Sequence, residues 1–374
     1  MPDIEILTAD ADIVTLASEL ATNAVIGVDL EADALHNYQE KVCLMQFTGS
    51  KRTVLVDPLT ADLSPLGPVL ADPSIRKIFH AADYDLRCLR RDFGFSINGL
   101  FDTMISAQFC GEAKIGLADV LGKYFAVSLD KKYQKADWSL RPLPEEMAHY
   151  AAEDTRHLHR LAELLEAKLR DLGRFDWVVE ECQLLEQVRF ADNGGPLFLR
   201  FKGAGTLDRR QLATLESLLQ WRDSEAKRRN KPLFKIIGNA QLHELARMQP
   251  LDNQKLVAVP GLSPGQVERY GRALLSAVAE AAALDNALLP VYPRERALVR
   301  DPNVDRRLKV LKEWRQTKAA ELGLDPGVLI NNAALETIAR QQPKIMVELE
   351  QLPGLKRWQV RELGSEILAV HAGN

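Results

Sequence analysis

The sequence predicts an α/β domain followed by two all-helical bundles, and three observations carry that expectation. Short apolar runs of strand character are confined to the region before residue 81. Long helical patterns then take over. Beyond residue 206 the chain repeats itself at a fixed offset of 93 residues. A length of 374 residues suits two or three domains, and 46% hydrophobic residues suffice for ordinary cores.

Ala24–Leu30 is a nearly continuous apolar run, as a buried strand requires. Val42–Phe47 and Thr53–Val56 follow, separated by the hairpin-like break Gly49-Ser50-Lys51-Arg52, and Arg76–His80 is a fourth short strand. Helices are expected from about Ala82 to Phe93 and from about Leu117 to Phe125. A long one begins near Pro144, with two Glu in its first turn, and runs to about Arg170. The segments 192–196 and 289–293, rich in Gly and Pro, read as linkers.

The repeat is gapless. Trp221-Arg222 returns as Trp314-Arg315, Asn239 as Asn332, Ala246-Arg247 as Ala339-Arg340, and Pro260-Gly261-Leu262 as Pro353-Gly354-Leu355. That register marks a duplicated helical module of roughly 70–80 residues. The expected domains are therefore 1–190, 207–286 and 300–374.

Net charge is −4, but unevenly spread: residues 207–290 and 291–374 each carry +3, which leaves −10 on residues 1–206. An acidic front suits hard cations and a basic back suits phosphates. Four dispersed cysteines form no C-x-x-C pair, so neither a disulfide framework nor a zinc site is expected. The opening Met1-Pro2-Asp3-Ile4-Glu5 lacks a signal-peptide pattern, and no apolar run approaches the roughly 18 residues of a membrane span. A cytoplasmic location is expected.

Chemistry concentrates on carboxylates. Asp29-Leu30-Glu31 ends the first apolar strand, so both acids point to one face, roughly 6–7 Å apart along the chain. The tripeptide pattern alone is weak, since Asp3-Ile4-Glu5 and Asp223-Ser224-Glu225 read as ordinary surface. In the long helix the apolar seam Met147, Ala151, Leu158, Leu161, Leu165 is interrupted by Asp154, a placement that is costly unless the carboxylate is paired or liganded. Tyr150 stands one turn earlier. Asp85 edges the buried face formed by Ala82, Leu86, Leu89 and Phe93. Four acids without His or Cys indicate Mg²⁺ or Mn²⁺. Such a set can hold two ions roughly 4 Å apart for phosphodiester hydrolysis. Tyr150 would orient or help deprotonate the attacking water. His149, His157 and His159 do not converge with Asp154 and read as ordinary histidines.

These segments resemble the tyrosine-bearing branch of the DEDD exonucleases, and within it the ribonuclease D family. The resemblance rests on Asp29-Leu30-Glu31, on His80-Ala81-Ala82-Asp83-Tyr84-Asp85-Leu86 and on Tyr150-Ala151-Ala152-Glu153-Asp154, with Asp137–Leu143 between them. The repeated module resembles the HRDC domain. The resemblance implies a ribonuclease-H-like fold with a mixed sheet and flanking helices. It implies 3′→5′ exoribonuclease activity with two divalent ions, release of nucleoside 5′-monophosphates, and a role in 3′ maturation of tRNA precursors and other small structured RNAs. Asp29 would then bridge both ions, Glu31 and Asp154 would complete the site of the nucleophile-bearing ion, and Asp85 would hold the second through water.

Trp138 and Arg141 are candidates to stack on a base and grip a phosphate, and His36 to face the terminal nucleotide. Two rivals stay open on sequence alone. A DNA exonuclease of the same branch would need the same acids, because only the 2′-hydroxyl distinguishes the substrates. A non-catalytic nucleic-acid-binding scaffold would have no need for acids on core-facing seams.

Overall fold

The computed structural model describes residues 4–190, 194–293 and 301–372, the last two in backbone only. They form two compact units, each treated by itself. The first comprises the described residues within 1–32, 42–190 and 299–374, and the second those within 33–41 and 191–298.

A six-stranded sheet organises the first unit. Its strands are β1 (Ile6–Leu7), β2 (Val25–Ala32), β3 (Val42–Thr48), β4 (Thr53–Val56), β5 (Arg76–Phe79) and β6 (Leu100–Asp102), in the spatial order β1-β4-β3-β2-β5-β6. The sheet is mixed. β2, β3 and β4 are antiparallel neighbours, while β1–β4, β2–β5 and β5–β6 run parallel. β1 and β6 escape the sequence reading because two or three residues are too few to show a period. α1 (Asp10–Leu20), α2 (Leu66–Ala71), α3 (Asp83–Phe93), α4 (Thr103–Phe109) and α5 (Leu117–Phe125) follow the strands.

β2 and β3 lie at the centre of the sheet, so both of their faces are covered. Ile26, Val28, Met45 and Phe47 enter the main core with Ile13, Leu16 and Leu20 of α1. Leu44 and Leu55 join a smaller cluster with Trp138, Met147, Ala148, Ala151 and Ala152. Alternation along each strand sends these two sets to opposite faces.

The expected long helix is broken in two, α6 (Glu145–Arg156) and α7 (Leu158–Asp171), at His157 with φ −100° and ψ −3°. The break lies where the helix passes closest to the sheet. A Cβ at Gly27 of β2 would stand 3.4 Å from the Thr155 carbonyl oxygen and 3.6 Å from Leu158 Cβ, and Thr48 of β3 donates to Thr155 Oγ1 at 2.8 Å. Beyond the break, Leu161 and Leu165 of α7 are buried in a cluster with Ala107 and Val120. α8 (Phe175–Leu185) follows.

The repeat is as regular in three dimensions as in sequence. α9 (Arg209–Arg229), α10 (Leu233–Ile236), α11 (Asn239–Met248), α12 (Asn253–Val257) and α13 (Pro264–Ala282) return as α14 (Pro302–Leu322), α15 (Pro326–Leu329), α16 (Asn332–Gln341), α17 (Met346–Glu350) and α18 (Arg357–Ala372). Even the left-handed residues recur, Gln249 (φ 47°) as Gln342 (φ 52°). Arg222 and Arg315 donate to the corresponding carbonyls of Ile237 and Ile330.

The two copies fall in different compact units. The first copy gathers Phe198, Phe201 and Ala204 into its core, so its unit begins before residue 207. Leu289 packs on Ala213 and Ala281, and its carbonyl accepts from Arg209 at 2.7 Å, so the expected linker 289–293 is partly strapped to the bundle. The other expected linker lies partly outside the described residues. The second copy is built into the first unit. Trp358 stacks on Trp177 of α8 with centroids 4.6 Å apart, and meets Phe109 of α4 edge-on at 5.5 Å. Glu180 accepts from the first amides of α18, Arg357 N at 2.7 Å and Trp358 N at 2.9 Å. Arg174 donates to the Leu322 carbonyl at the end of α14. Each unsatisfied helix end thus receives the charge its dipole favours. No helix among the described residues is long and apolar enough to cross a membrane.

Trp358 is completely buried. Trp358→Ala is expected to cost about 3–5 kcal/mol, read as a lower denaturant midpoint of the unit that carries the sheet. An unchanged midpoint would mean that the second bundle does not stabilise that unit.

Candidate metal centre

The antiparallel register sets Asp29 opposite Gln46 and Glu31 opposite Leu44. Cross-strand partners share a face, so both acids lie on the side of the sheet that Leu44 identifies as facing α6. The face that α6 turns to the sheet is made of Ala148, Ala151, Ala152 and Thr155, all buried. Small side chains bring the helix close and carry Asp154 to the two strand acids. Oxygens of Asp29, Glu31 and Asp154 lie within 4.8 Å of one another. Among the described residues no lysine or arginine pairs with any of the three. Glu153, next in sequence, takes Arg156 and His157 instead.

Asp85 stands outside this tight group, yet its charge is felt by both Asp29 and Glu31. It is buried rather than on the edge of the α3 face, at 7% exposure. A residue not singled out in the sequence, Asp102, sets its position. Fully buried at the end of β6, Asp102 accepts from the amides of Ala81 (3.1 Å) and Ala82 (2.7 Å), and from Met104 and Ile105 at the start of α4. Ala81 takes a left-handed φ of 68° there, a conformation uncommon outside glycine, and the turn delivers α3 with Asp85 inward. The signal was present in the sequence: an acid directly before a helix is a favoured cap.

The electrostatics follow from crowding without cations. Burial, then the charges of Asp85, Asp154 and Glu31, hold the Asp29 carboxyl well above its ordinary range. Glu31 is raised in the same way, by burial and then by Asp154 and Asp85. Asp154 is pushed up to about 7 by burial and by Glu153, and Asp85 to about 8 by burial, Asp102 and Asp83. All-oxygen donors that repel one another fit a hard divalent cation.

Tyr150 joins them from the same helix. Half-buried, it packs on Tyr133 and Trp138, and burial with the charges of Asp154, Glu31 and Asp29 raises its pKa. A cleft of about 440 Å³ opens over Tyr150 and Asp154, walled by Leu129, Lys132, Tyr133 and His149.

Two expected substrate contacts are corrected. Trp138 is 1% exposed and sits in the apolar cluster beneath α6, so it anchors packing and cannot stack on a base. Arg141 makes a two-pronged bond to Asp57 (2.5 and 2.7 Å) and donates to the carbonyls of Cys43, Trp138 and Leu140, which leaves no free edge for a phosphate. His36 lies in the segment 33–41, which belongs to the second unit and not to the unit that carries the carboxylates. There Tyr38 donates to Asp223 at 2.8 Å.

The comparisons with known proteins agree with this geometry. Residues 4–170 match the 3′-5′ exonuclease family model, and residues 211–278 and 304–370 each match the HRDC domain. A ribonuclease D of Gluconacetobacter diazotrophicus is 31% identical over all of this chain and 94% of its own. The chain belongs to the ribonuclease D family. The ribonuclease D of Escherichia coli is 31% identical over 76% of this chain and 77% of its own. A crystal structure of E. coli RNase D, an exoribonuclease involved in structured RNA processing, aligns over 99% of both chains with a TM-score of 0.75 and 25% identity. The chain is accordingly a 3′-5′ exoribonuclease with RNA as its substrate and a nuclease site that uses divalent metal.

Two outcomes follow. Asp154 and Asp85 titrate near 7 and 8 in the folded metal-free protein, against about 4 when unfolded. The folded state therefore holds more protons than the unfolded state across that window. Stability falls as pH rises through it, and a cation that replaces the protons stabilises more at pH 8 than at pH 6. Scanning calorimetry with and without Mg²⁺ at both pH values checks this, and equal shifts would contradict it. Arg141→Ala leaves the buried Asp57 unpaired and should cost about 3 kcal/mol, visible as a lower denaturation midpoint. A fully stable variant with weaker RNA binding would restore the phosphate role.

Proposed function

We propose that this exoribonuclease works by two-metal-ion hydrolysis, releases nucleoside 5′-monophosphates, and acts in 3′ maturation of tRNA precursors and other small structured RNAs. The observation that carries the reading is the convergence of Asp29, Glu31 and Asp154, paired with no cationic side chain among the described residues. Asp29, on a central strand and grouped with Glu31 and Asp154, would hold both ions. Glu31 and Asp154 complete the first site. Asp85, set apart from the tight group, suits the second ion through water. Two bound divalent ions supply an activated water and stabilise the leaving 3′ oxygen.

The chain's own residues do the rest. Tyr150, one turn before Asp154 on α6 and lining the same cleft, would orient the attacking water or help to deprotonate it. The cleft beside it, with Lys132 and His149 on its wall, is of a size for a small polar ligand and is assigned to the terminal nucleotide. The two helical modules, at +3 each in sequence, are assigned to RNA phosphates farther from the 3′ end. Four cysteines outside any disulfide suit a reducing, cytoplasmic setting.

Matched 5′-labelled RNA and DNA oligomers and a tRNA precursor, resolved on a sequencing gel with Mg²⁺, Mn²⁺ or excess chelator, test the reading. RNA is expected to shorten from its 3′ end only with metal. Asp29→Asn should lose most activity and metal binding. Tyr150→Phe should keep metal binding and slow a single turnover. Full activity in chelator defeats the metal mechanism, and wild-type rates in Tyr150→Phe make Tyr150 a packing residue.

A further inference from the structure

Gln46 occupies the middle of β3, a strand whose other side chains are apolar or, for Thr48, hydrogen-bonded. It is fully buried, and among the described residues neither Nε2 nor Oε1 has a hydrogen-bond partner. Leaving such a group unsatisfied is costly, because its desolvation is not offset by a hydrogen bond. Packing offers no reason for an amide here, since all the other residues of the strand but Thr48 are apolar. The register gives one: Gln46 is the direct cross-strand partner of Asp29. Opposed side chains on one face of an antiparallel pair have Cβ atoms about 4.5–5.5 Å apart, within reach of an amide-to-carboxylate bond.

From this we infer that Gln46 is the positioning residue for Asp29. Its Nε2–H would donate to the Asp29 carboxylate in the metal-loaded protein and so hold that ligand in orientation. A carboxylate offers about four acceptor sites, so one amide bond leaves room for cations. The orphaned amide is then a group whose partner arrives with the loaded state, and partners of this kind orient metal ligands. The inference rests on the reading of Asp29 as a metal ligand.

The test titrates Mg²⁺ and Mn²⁺ calorimetrically into the full chain as wild type, Gln46→Leu, Gln46→Met and Asp29→Asn, and measures Tm of each metal-free form. Removing an unsatisfied amide should leave the metal-free Tm of both Gln46 variants equal or higher. Their metal affinity should drop roughly 10–100-fold, with kcat on RNA lowered and KM little changed. A residue that merely filled space would do the reverse, lowering Tm and sparing affinity, and that result overturns the inference. Failure of both variants to fold overturns it too, because the amide would then be holding the metal-free fold. The Asp29→Asn arm separates the two readings. If that variant binds metal as the wild type does, the metal site itself is misassigned. If it loses binding while both Gln46 variants keep theirs, only the role of Gln46 falls.

Discussion

The close seating of α6 on β2 and β3 is the constraint on which the site depends. Alanines at 148, 151 and 152 and a glycine at 27 remove the bulk that would hold helix and sheet apart, and Thr48 pins Thr155. The consequence is electrostatically unfavourable. Three carboxylates are pressed together in a partly buried place, and no lysine or arginine among the described residues pairs with them. Ordinary folding would avoid this arrangement, since an unpaired buried charge is among the costlier things a core can hold. Packing energy elsewhere in the sheet and its helices must sustain it, and the raised carboxyl pKa values reflect burial first and neighbouring negative charge second.

The turn from β5 into α3 solves a related problem by other means. Asp85 must enter from a different element, and its direction is set by a capping network. Asp102 binds two amides of the turn and two of α4. Beside it His80 meets Thr103 at 2.9 Å, and Thr103 returns a bond to the Phe79 carbonyl. A segment that reads as one motif therefore divides its labour. Asp85 belongs to the chemistry, while His80 and Ala81 belong to the geometry that aims it. The segment Asp137–Leu143 divides in the same way, with Trp138 and Arg141 spent on packing and on Asp57.

The duplicated bundle shows how two copies of one backbone can come to differ. In the first, α13 is closed by its own capping box between Ser263 and Gln266. At the equivalent position the second copy has Lys356, which cannot accept a bond from the helix amides. Gln359 still takes the Lys356 amide, but Glu180 of α8 supplies the missing acceptor, and Lys356 pairs with Glu181. Gly265 of the first copy is replaced by Trp358, which fills the space against Trp177. These two changes turn a self-sufficient module into part of the catalytic unit.

The sequence by itself determined the strand and helix character of the long segments, the mixture of acids that needs a cation, and the repeat with its fixed offset. Each is written in local periodicity or in residue identity, and a chain of one dimension can display both. Asp29 and Glu31 were legible because a strand alternates, and Asp154 because it interrupts an apolar seam. Tertiary structure alone decided the break at His157, the burial of Trp138, the capture of Arg141 by Asp57 and the assignment of the two bundles to different units. Those outcomes turn on which distant residue arrives first at a donor, an acceptor or a gap. Asp57 and Arg141 are 84 residues apart, and Glu180 and Trp358 are 178 apart. No local pattern encodes a partner at that range, because the pairing is chosen by the packing that brings the two together.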